Sequence, residues 1–206
     1  AGADACDPCN PGTYSVDTGA THAGVCVPCP AGTNSSLPGA TSVSVCNFCR
    51  SGTYSPPSAA DCIDCPLNSW SLPQSGSVEL CLCLPGYYGA IGEDCESCAG
   101  GKFLPFSGAR TDQCESCHAG TSASAGSSTC TTCHAGKFAG PEFAACKTCP
   151  RDTFSTAGAH NCTNCTLDYC EVAEYRRRCL PGSTSDGECL ACQIYRRENT
   201  MFVGHG

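Results

Sequence analysis

The sequence is poor in the residues that build a hydrophobic core. Leu, Ile, Val and Phe together number 28 of 206, about 14%, and Met and Trp occur once each. That share lies below the roughly 20% at which an ordinary core becomes hard to assemble. The length alone would allow one large domain or two ordinary ones, and the composition excludes both. No apolar run approaches the roughly 18 residues of a membrane span. Basic residues are scarce too: 11 Lys and Arg against 19 Asp and Glu give a formal charge of -8. Nucleic acid is therefore not the partner, because phosphate contacts need a basic surface, and the charge is read as serving solubility. The five histidines, His22, His118, His134, His160 and His205, fall singly in loops. They lack metalloprotease spacing, and no nucleophile elbow is present. Neither a catalytic residue nor a cofactor is expected, so the chain is read as no enzyme. It opens at Ala1 without an initiator Met or a signal peptide, which reads as a processed or trimmed end with any anchor outside the segment.

What is abundant is cysteine, 24 residues or about 12% of the chain, above the roughly 8–10% that signals a disulfide scaffold. Cross-links stand in for the missing core, and so many thiols place the chain outside the cell or at its surface, reached through the secretory pathway. Twenty of the cysteines form C-x-x-C pairs, from Cys6/Cys9 through Cys26/Cys29, Cys46/Cys49 and Cys62/Cys65 to Cys189/Cys192, mostly 16 to 20 residues apart. A fixed period of this kind means a linear array of repeats. After most pairs comes a turn signature, as in Cys9-Asn-Pro-Gly-Thr-Tyr-Ser and Cys49-Arg-Ser-Gly-Thr-Tyr-Ser. Its glycine (Gly12, Gly32, Gly52, Gly120, Gly136) supplies positive φ. The aromatic that follows (Tyr14, Tyr54, Phe103, Phe138, Phe154) opens a short extended segment and can cover a disulfide. The expected fold is a set of small disulfide-rich repeats, an elongated array of short β-hairpin modules with little regular secondary structure. Each unit would touch only its neighbours, with a radius of gyration near ~30 Å where a compact chain would have ~17 Å.

Nearly all cysteines should be oxidised, and two connectivities tile them. In a sequential ladder, the second cysteine of each pair closes on the first of the next, Cys9 to Cys26 and Cys29 to Cys46. In an interleaved scheme, Cys49 joins Cys65 and Cys62 joins Cys81. Spacing alone does not choose. Either scheme leaves Cys6 and Cys192 without partners inside the chain, as in a segment cut from a longer array.

The run Cys62-Ile-Asp-Cys65-Pro-Leu-Asn-Ser-Trp-Ser followed by Cys81-Leu-Cys83-Leu-Pro-Gly-Tyr-Tyr is similar to the cysteine-rich region of ephrin-receptor tyrosine kinases. The plain C-x-x-C-x-x-G-T-Y-S units resemble ephrin-receptor-like repeats and, more distantly, tumour-necrosis-factor-receptor modules. The C-x-C of Cys81 and Cys83, the Gly-Tyr-Tyr-Gly and Cys95 resemble the C-terminal half of an epidermal-growth-factor-like module. That last resemblance implies the interleaved pairing around 49–95, with Cys83 bonded to Cys95. The likeness spans 6–165 and implies a repeat fold; kinase activity is not carried over, since the fold does not bring it. The expected divisions are 1–80 for N-terminal repeats, 81–95 for the epidermal-growth-factor-like half, 96–165 for a second set of repeats and 166–206 for an irregular segment. In the last, Glu171–Arg178 places acids before bases, as a helical turn or two would.

Two rival chemistries compete with the staple. Repeated C-x-x-C pairs also describe zinc ribbons, but those sit in Lys/Arg-rich chains of reduced compartments. A thioredoxin-type pair needs a strand-to-helix context, which turn-rich repeats do not supply. Neither a metal nor another cofactor is expected. Three sequons, Asn34-Ser-Ser, Asn161-Cys-Thr and Asn164-Cys-Thr, make N-glycans candidates. Asn34 is the preferred acceptor, because a central cysteine competes with disulfide closure. Trp70, Tyr87 and Tyr88 are read as covering inter-module disulfides, with partner binding as the sharper alternative. The function expected is a non-catalytic extracellular structural module: a spacer, a surface coat or a filament component such as a flagellar hair. The alternative is a receptor or adhesin ectodomain that binds a protein ligand. The partner expected is a protein, either neighbouring chains of the same assembly or a surface protein.

Overall fold

A computed structural model describes residues 7–17, 23–166 and 179–187, with the backbone of 174–176 and 189–191. Ten two-stranded sheets follow one another along these residues. The first four pair Thr13–Tyr14 with Val27–Pro28, Thr33–Asn34 with Asn47–Phe48, Thr53–Tyr54 with Ile63–Asp64, and Ser69–Trp70 with Leu82–Cys83. Tyr87–Tyr88 then pairs with Glu96–Ser97, and Lys102–Phe103 with Glu115–Ser116. Next come Thr121–Ser122 with Thr131–Thr132, Lys137–Phe138 with Lys147–Thr148, and Thr153–Phe154 with Thr163–Asn164. The chain is thus an array of small, disulfide-rich β-hairpin modules. It divides into two compact units. The first takes in Ala1–Ala99, Phe103–Glu115 and Ala125–Thr129; the second takes in Gly100–Lys102, Ser116–Ser124 and Cys130–Gly206.

Hairpins of two residues per strand have too few backbone bonds to stand alone, and a second set of bonds ties each to the next. Within the first unit, the Gly12 N–H donates to the Ser35 carbonyl at 2.7 Å, Gly32 to Ser55 at 2.9 Å and Gly52 to Ser71 at 2.9 Å. The second unit repeats the pattern with Gly120 to Ala139 and Gly136 to Ser155, both at 2.8 Å. A return bond runs from each later bend to an earlier cysteine carbonyl: Gly39 to Cys9 at 2.7 Å, Ser58 to Cys29 at 3.1 Å and Gln74 to Cys49 at 3.0 Å. Donor and acceptor needs of the turns are therefore met by neighbouring turns, as buried backbone requires.

The turns are closed by a feature the sequence repeats and the composition hides. The hydroxyl after the glycine donates back three residues, Thr13 to Asn10, Thr33 to Pro30, Thr53 to Arg50, and Thr121 to His118, at 2.7–2.8 Å. Asn68 (φ 60°) and Asp152 (φ 64°) stand where other units have glycine, a left-handed conformation these two short polar side chains tolerate.

Two expectations are corrected. Units do not touch only their immediate neighbours. A Cβ built on Gly12 would lie 2.1 Å from the Ser58 carbonyl oxygen, and one on Gly32 would lie 2.2 Å from that of Gln74. Each of these turns is covered by the unit next but one, which only a side-chain-free residue permits. In the tail, Glu174–Arg176 is a strand paired with Cys189–Ala191, Tyr175 opposite Leu190, where a helical turn was expected. A helix that short is marginal by itself, whereas strand pairing gives its backbone partners at once. The remainder of 171–178 lies outside the described residues.

Candidate functional site

The burial pattern identifies what holds the molecule together. The second cysteine of most pairs is sealed, with Cys29, Cys49, Cys98, Cys117, Cys133 and Cys149 at 1% exposure or less. Ten disulfides join the described residues. Nine join each cysteine to the next along the chain: Cys9–Cys26, Cys29–Cys46, Cys49–Cys62, Cys65–Cys81 and Cys83–Cys95, then Cys98–Cys114, Cys117–Cys130, Cys133–Cys146 and Cys149–Cys162; the tenth, Cys165–Cys179, spans Cys170.

The interleaved pairing of Cys49 with Cys65 and Cys62 with Cys81 is therefore replaced by Cys49–Cys62 and Cys65–Cys81. Hairpin register gives the reason. Thr53 lies opposite Asp64 and Tyr54 opposite Ile63, so the antiparallel ladder carries Cys62, not Cys65, to the side of Ser55, whose hydroxyl lies 3.3 Å from Cys49 Sγ. Side chains three apart on an extended segment point to opposite faces, which leaves Cys65 for Cys81. At Cys81-Leu82-Cys83 a residue is missing, so Cys83 falls inside the strand, opposite Ser69, and still closes forward on Cys95. There the link to the previous turn is made partly by side chains. The Leu67 N–H donates to Asp94 Oδ1 at 2.8 Å, and Asn68 Nδ2 donates to the Cys95 carbonyl at 3.0 Å. Cys6, Cys170, Cys192 and the sulfur of Cys189 lie outside the described residues, and with them the expectation that Cys6 and Cys192 lack partners.

This ladder decides what the sulfurs can do. A thiolate set for zinc needs both cysteines of a pair free, and the pairs from Cys26/Cys29 to Cys162/Cys165 are each shared between two disulfides. Cys165, Cys179 and Asp186 bring ligand atoms within 4.8 Å of one another. Two of the three are the disulfide Cys165–Cys179, and the Asp186 carboxylate accepts from the Thr166 N–H and hydroxyl and from the Gly187 N–H.

The sequons and aromatics separate clearly. Asn34 occupies the aromatic position of its unit and is half-buried. Its Nδ2 donates to the Ala60 carbonyl at 3.0 Å, and its Oδ1 rests 3.3 Å from Cys62 Sγ. Ser122, the other non-aromatic residue at that position, places Oγ 3.2 Å from Cys146 Sγ. Asn161 and Asn164 are exposed. Tyr88 packs on the buried cluster of Cys98, Leu104 and Ala109 together with Cys114, so it covers the Cys98–Cys114 bridge. Desolvation there, the hydrogen bond to Glu96 and the charges of Asp112 and Glu96 raise its phenol above the ordinary value near 10. The Tyr87 hydroxyl lies over Gly126, where a Cβ would sit 2.7 Å away. Trp70 stands apart, 44% exposed and directly opposite Leu82.

Residues 1–46 match the family model described as tyrosine-protein kinase ephrin type A/B receptor-like. The matched stretch holds the first hairpin and the Cys9–Cys26 and Cys29–Cys46 bridges. No curated protein matches the chain. Repeat and ladder together make this a run of cysteine-rich, disulfide-bonded repeats, of which the stretch 1–46 is similar to the ephrin-receptor-like family. Among the described residues, no helix is long and apolar enough to cross a membrane.

Proposed function

We propose that this chain is a non-catalytic extracellular structural module, a spacer, coat or filament component built by repetition of one stapled hairpin. The observation that carries the reading is where the buried groups go. Cysteine sulfurs are consumed in a sequential ladder, and buried hydroxyls are consumed in ties between units, Ser55 to the Thr33 carbonyl and Ser71 to the Thr53 carbonyl at 2.9 Å. Interior chemistry spent on holding neighbours in register suits a load-bearing array better than a catalyst. Protein neighbours, in the same assembly or on the surface, are the partners that fit an acidic, turn-rich exterior, and Asn161 and Asn164 are its glycan acceptors. The likeness to tumour-necrosis-factor-receptor modules rests on cysteine spacing. That to an epidermal-growth-factor-like half rests on the C-x-C and the Cys83–Cys95 loop.

The second reading, a receptor or adhesin ectodomain, is favoured by one observation, the exposed aliphatic and aromatic side chains of the first unit. Replacing the array, in the full protein at the cell surface, by an unrelated stapled repeat of equal length separates the two. A structural module tolerates the exchange, with display and assembly retained. Retained display with loss of attachment to a soluble ligand would give the receptor reading instead.

A further inference from the structure

We infer that the first unit carries a docking face for a basic, apolar protein surface, centred on the cross-strand pair of Trp70 and Leu82. Along the array, the residue opposite the aromatic changes character. Tyr14 faces Val27, Tyr54 faces Ile63 and Trp70 faces Leu82, whereas Tyr88 faces Glu96, Phe138 faces Lys147 and Phe154 faces Thr163. Directly opposed side chains share one face of a sheet, so the first, third and fourth hairpins present an apolar pair there, whereas the second pairs Asn34 with Asn47 and the later ones just named set a polar or charged residue against the aromatic. Fourteen large hydrophobics stand exposed among the described residues of the first unit. Val27, Ile63, Trp70 and Leu82 are each 44–48% exposed.

Charge selects the occupant. The first unit contains eleven acidic and two basic residues, a formal charge of -9, against eight acidic and nine basic in the second. Asp61 and Asp64 flank Ile63, and Glu79 precedes Leu82, all three exposed. A second copy of the same face would be repelled, and so would an anionic lipid surface. Apolar area inside a field of one sign is satisfied by a partner bearing aliphatic side chains among Lys and Arg, which complementarity both attracts and orients. The inference holds whether the array spaces or receives.

Trp70 is the sole tryptophan and reports on its own face. The experiment titrates the oxidised full chain with a synthetic amphipathic helix of Leu and Lys, following Trp70 emission. A saturable blue shift is expected, weakened about tenfold or more by Leu82→Ser with Ile63→Ser, as for anchors of a docking face. Salt near 1 M, where charges are screened within about 3 Å, should also weaken it. Asp64→Asn with Glu79→Gln, which leaves the apolar pair intact, should reduce affinity in low salt only. Disulfide mapping confirms that each variant has folded. No shift with the Leu/Lys helix, equal affinity for a Leu/Glu helix, unchanged affinity of the Ser variants, or sedimentation showing the face already covered by a second copy would each overturn the inference.

Discussion

The Ser58 carbonyl oxygen sits over the Cα of Gly12, so that a Cβ at Gly12 would approach it to 2.1 Å and its carbon to 2.5 Å. The contact joins residues 46 positions apart in sequence, with a whole hairpin between them. Gly12 also has φ of 83°, so Gly12→Ala is penalised twice, by backbone conformation and by collision. Adding typical costs for the left-handed region and for overpacking gives about 2–6 kcal/mol of local destabilisation. Gly24→Ala, where a Cβ meets nothing within 4 Å, should change stability by no more than about 0.5 kcal/mol. Amide exchange at Gly12 and Cys29, whose N–H donates to the Gly12 carbonyl, measures both. Equal effects from the two substitutions would mean that this packing is unimportant.

How much of this was legible follows from what each residue signals. Cysteine spacing announced the repeat, and Gly12, Gly32, Gly52, Gly120 and Gly136 announced the turns, because only backbone freedom explains a glycine at a fixed offset. Asn68 and Asp152 carry the same turn without that flag. The threonine lock is visible in the sequence only as Gly-Thr recurrence, which does not reveal the bond back to the residue three before. Connectivity was not legible, since 13 residues separate Cys49 from Cys62 and 16 separate it from Cys65, loops whose closure costs nearly the same. The tie of Asn34 to Ala60 was hidden for another reason: it depends on which unit lies beside which.

The ladder predicts a specific fragment. Cleavage before Asp61 and Asp64 releases Asp61-Cys62-Ile63 from Cys65 while the disulfides stay intact. This tripeptide should be found bonded to the peptide containing Cys49. Attachment to Cys81 would restore the interleaved pairing. Thiol titration of the unreduced chain should find no more than the four cysteines outside the ten bridges.

Removing one rung should act locally. Cys133→Ser with Cys146→Ser opens a loop of 13 residues, worth roughly 3 kcal/mol by loop entropy. In an array stabilised mainly by neighbours, the loss stays near the lesion. Amide protection should fall at Gly136 and Cys149, whose bonds flank the opened rung, and persist at Gly12, Gly32 and Gly52. A uniform loss across the chain would show global cooperativity instead.

Tyr88 gives a pH prediction. Its phenol is raised above the ordinary value near 10 by desolvation, by the hydrogen bond to Glu96 and by neighbouring carboxylates, so folding favours the neutral, proton-bearing form. The associated stability is fully present below the unfolded value and disappears as pH rises through the raised one. Rapid ultraviolet titration should resolve a late-ionising tyrosine that disappears in Tyr88→Phe and moves earlier in Glu96→Gln. No change in the late phase in either variant would place the perturbation elsewhere.

The sequons give the last prediction, because folded geometry ranks them opposite to sequence context. Asn34 has its amide committed to the Ala60 carbonyl and its oxygen against the Cys49–Cys62 bridge. A glycan on that nitrogen would have to leave through a half-buried site between two units. Asn161 is exposed and lies outside the strands, while Asn164 is exposed but within the strand opposite Thr153. In protein secreted from a eukaryotic host, enzymatic deglycosylation in heavy-oxygen water should label Asn161 most, Asn164 less and Asn34 least. Closure of Cys149–Cys162 competes with transfer at Asn161, so occupancy there should rise further in Cys149→Ser with Cys162→Ser, which keeps a sequon with Ser at its centre. Separately, Asn34→Ala should cost about 1 kcal/mol, the worth of a partly buried side-chain hydrogen bond, whether or not any glycan is present. Occupancy at Asn34 above that at Asn161, with no loss of stability in Asn34→Ala, would show that this asparagine serves the surface and not the ladder.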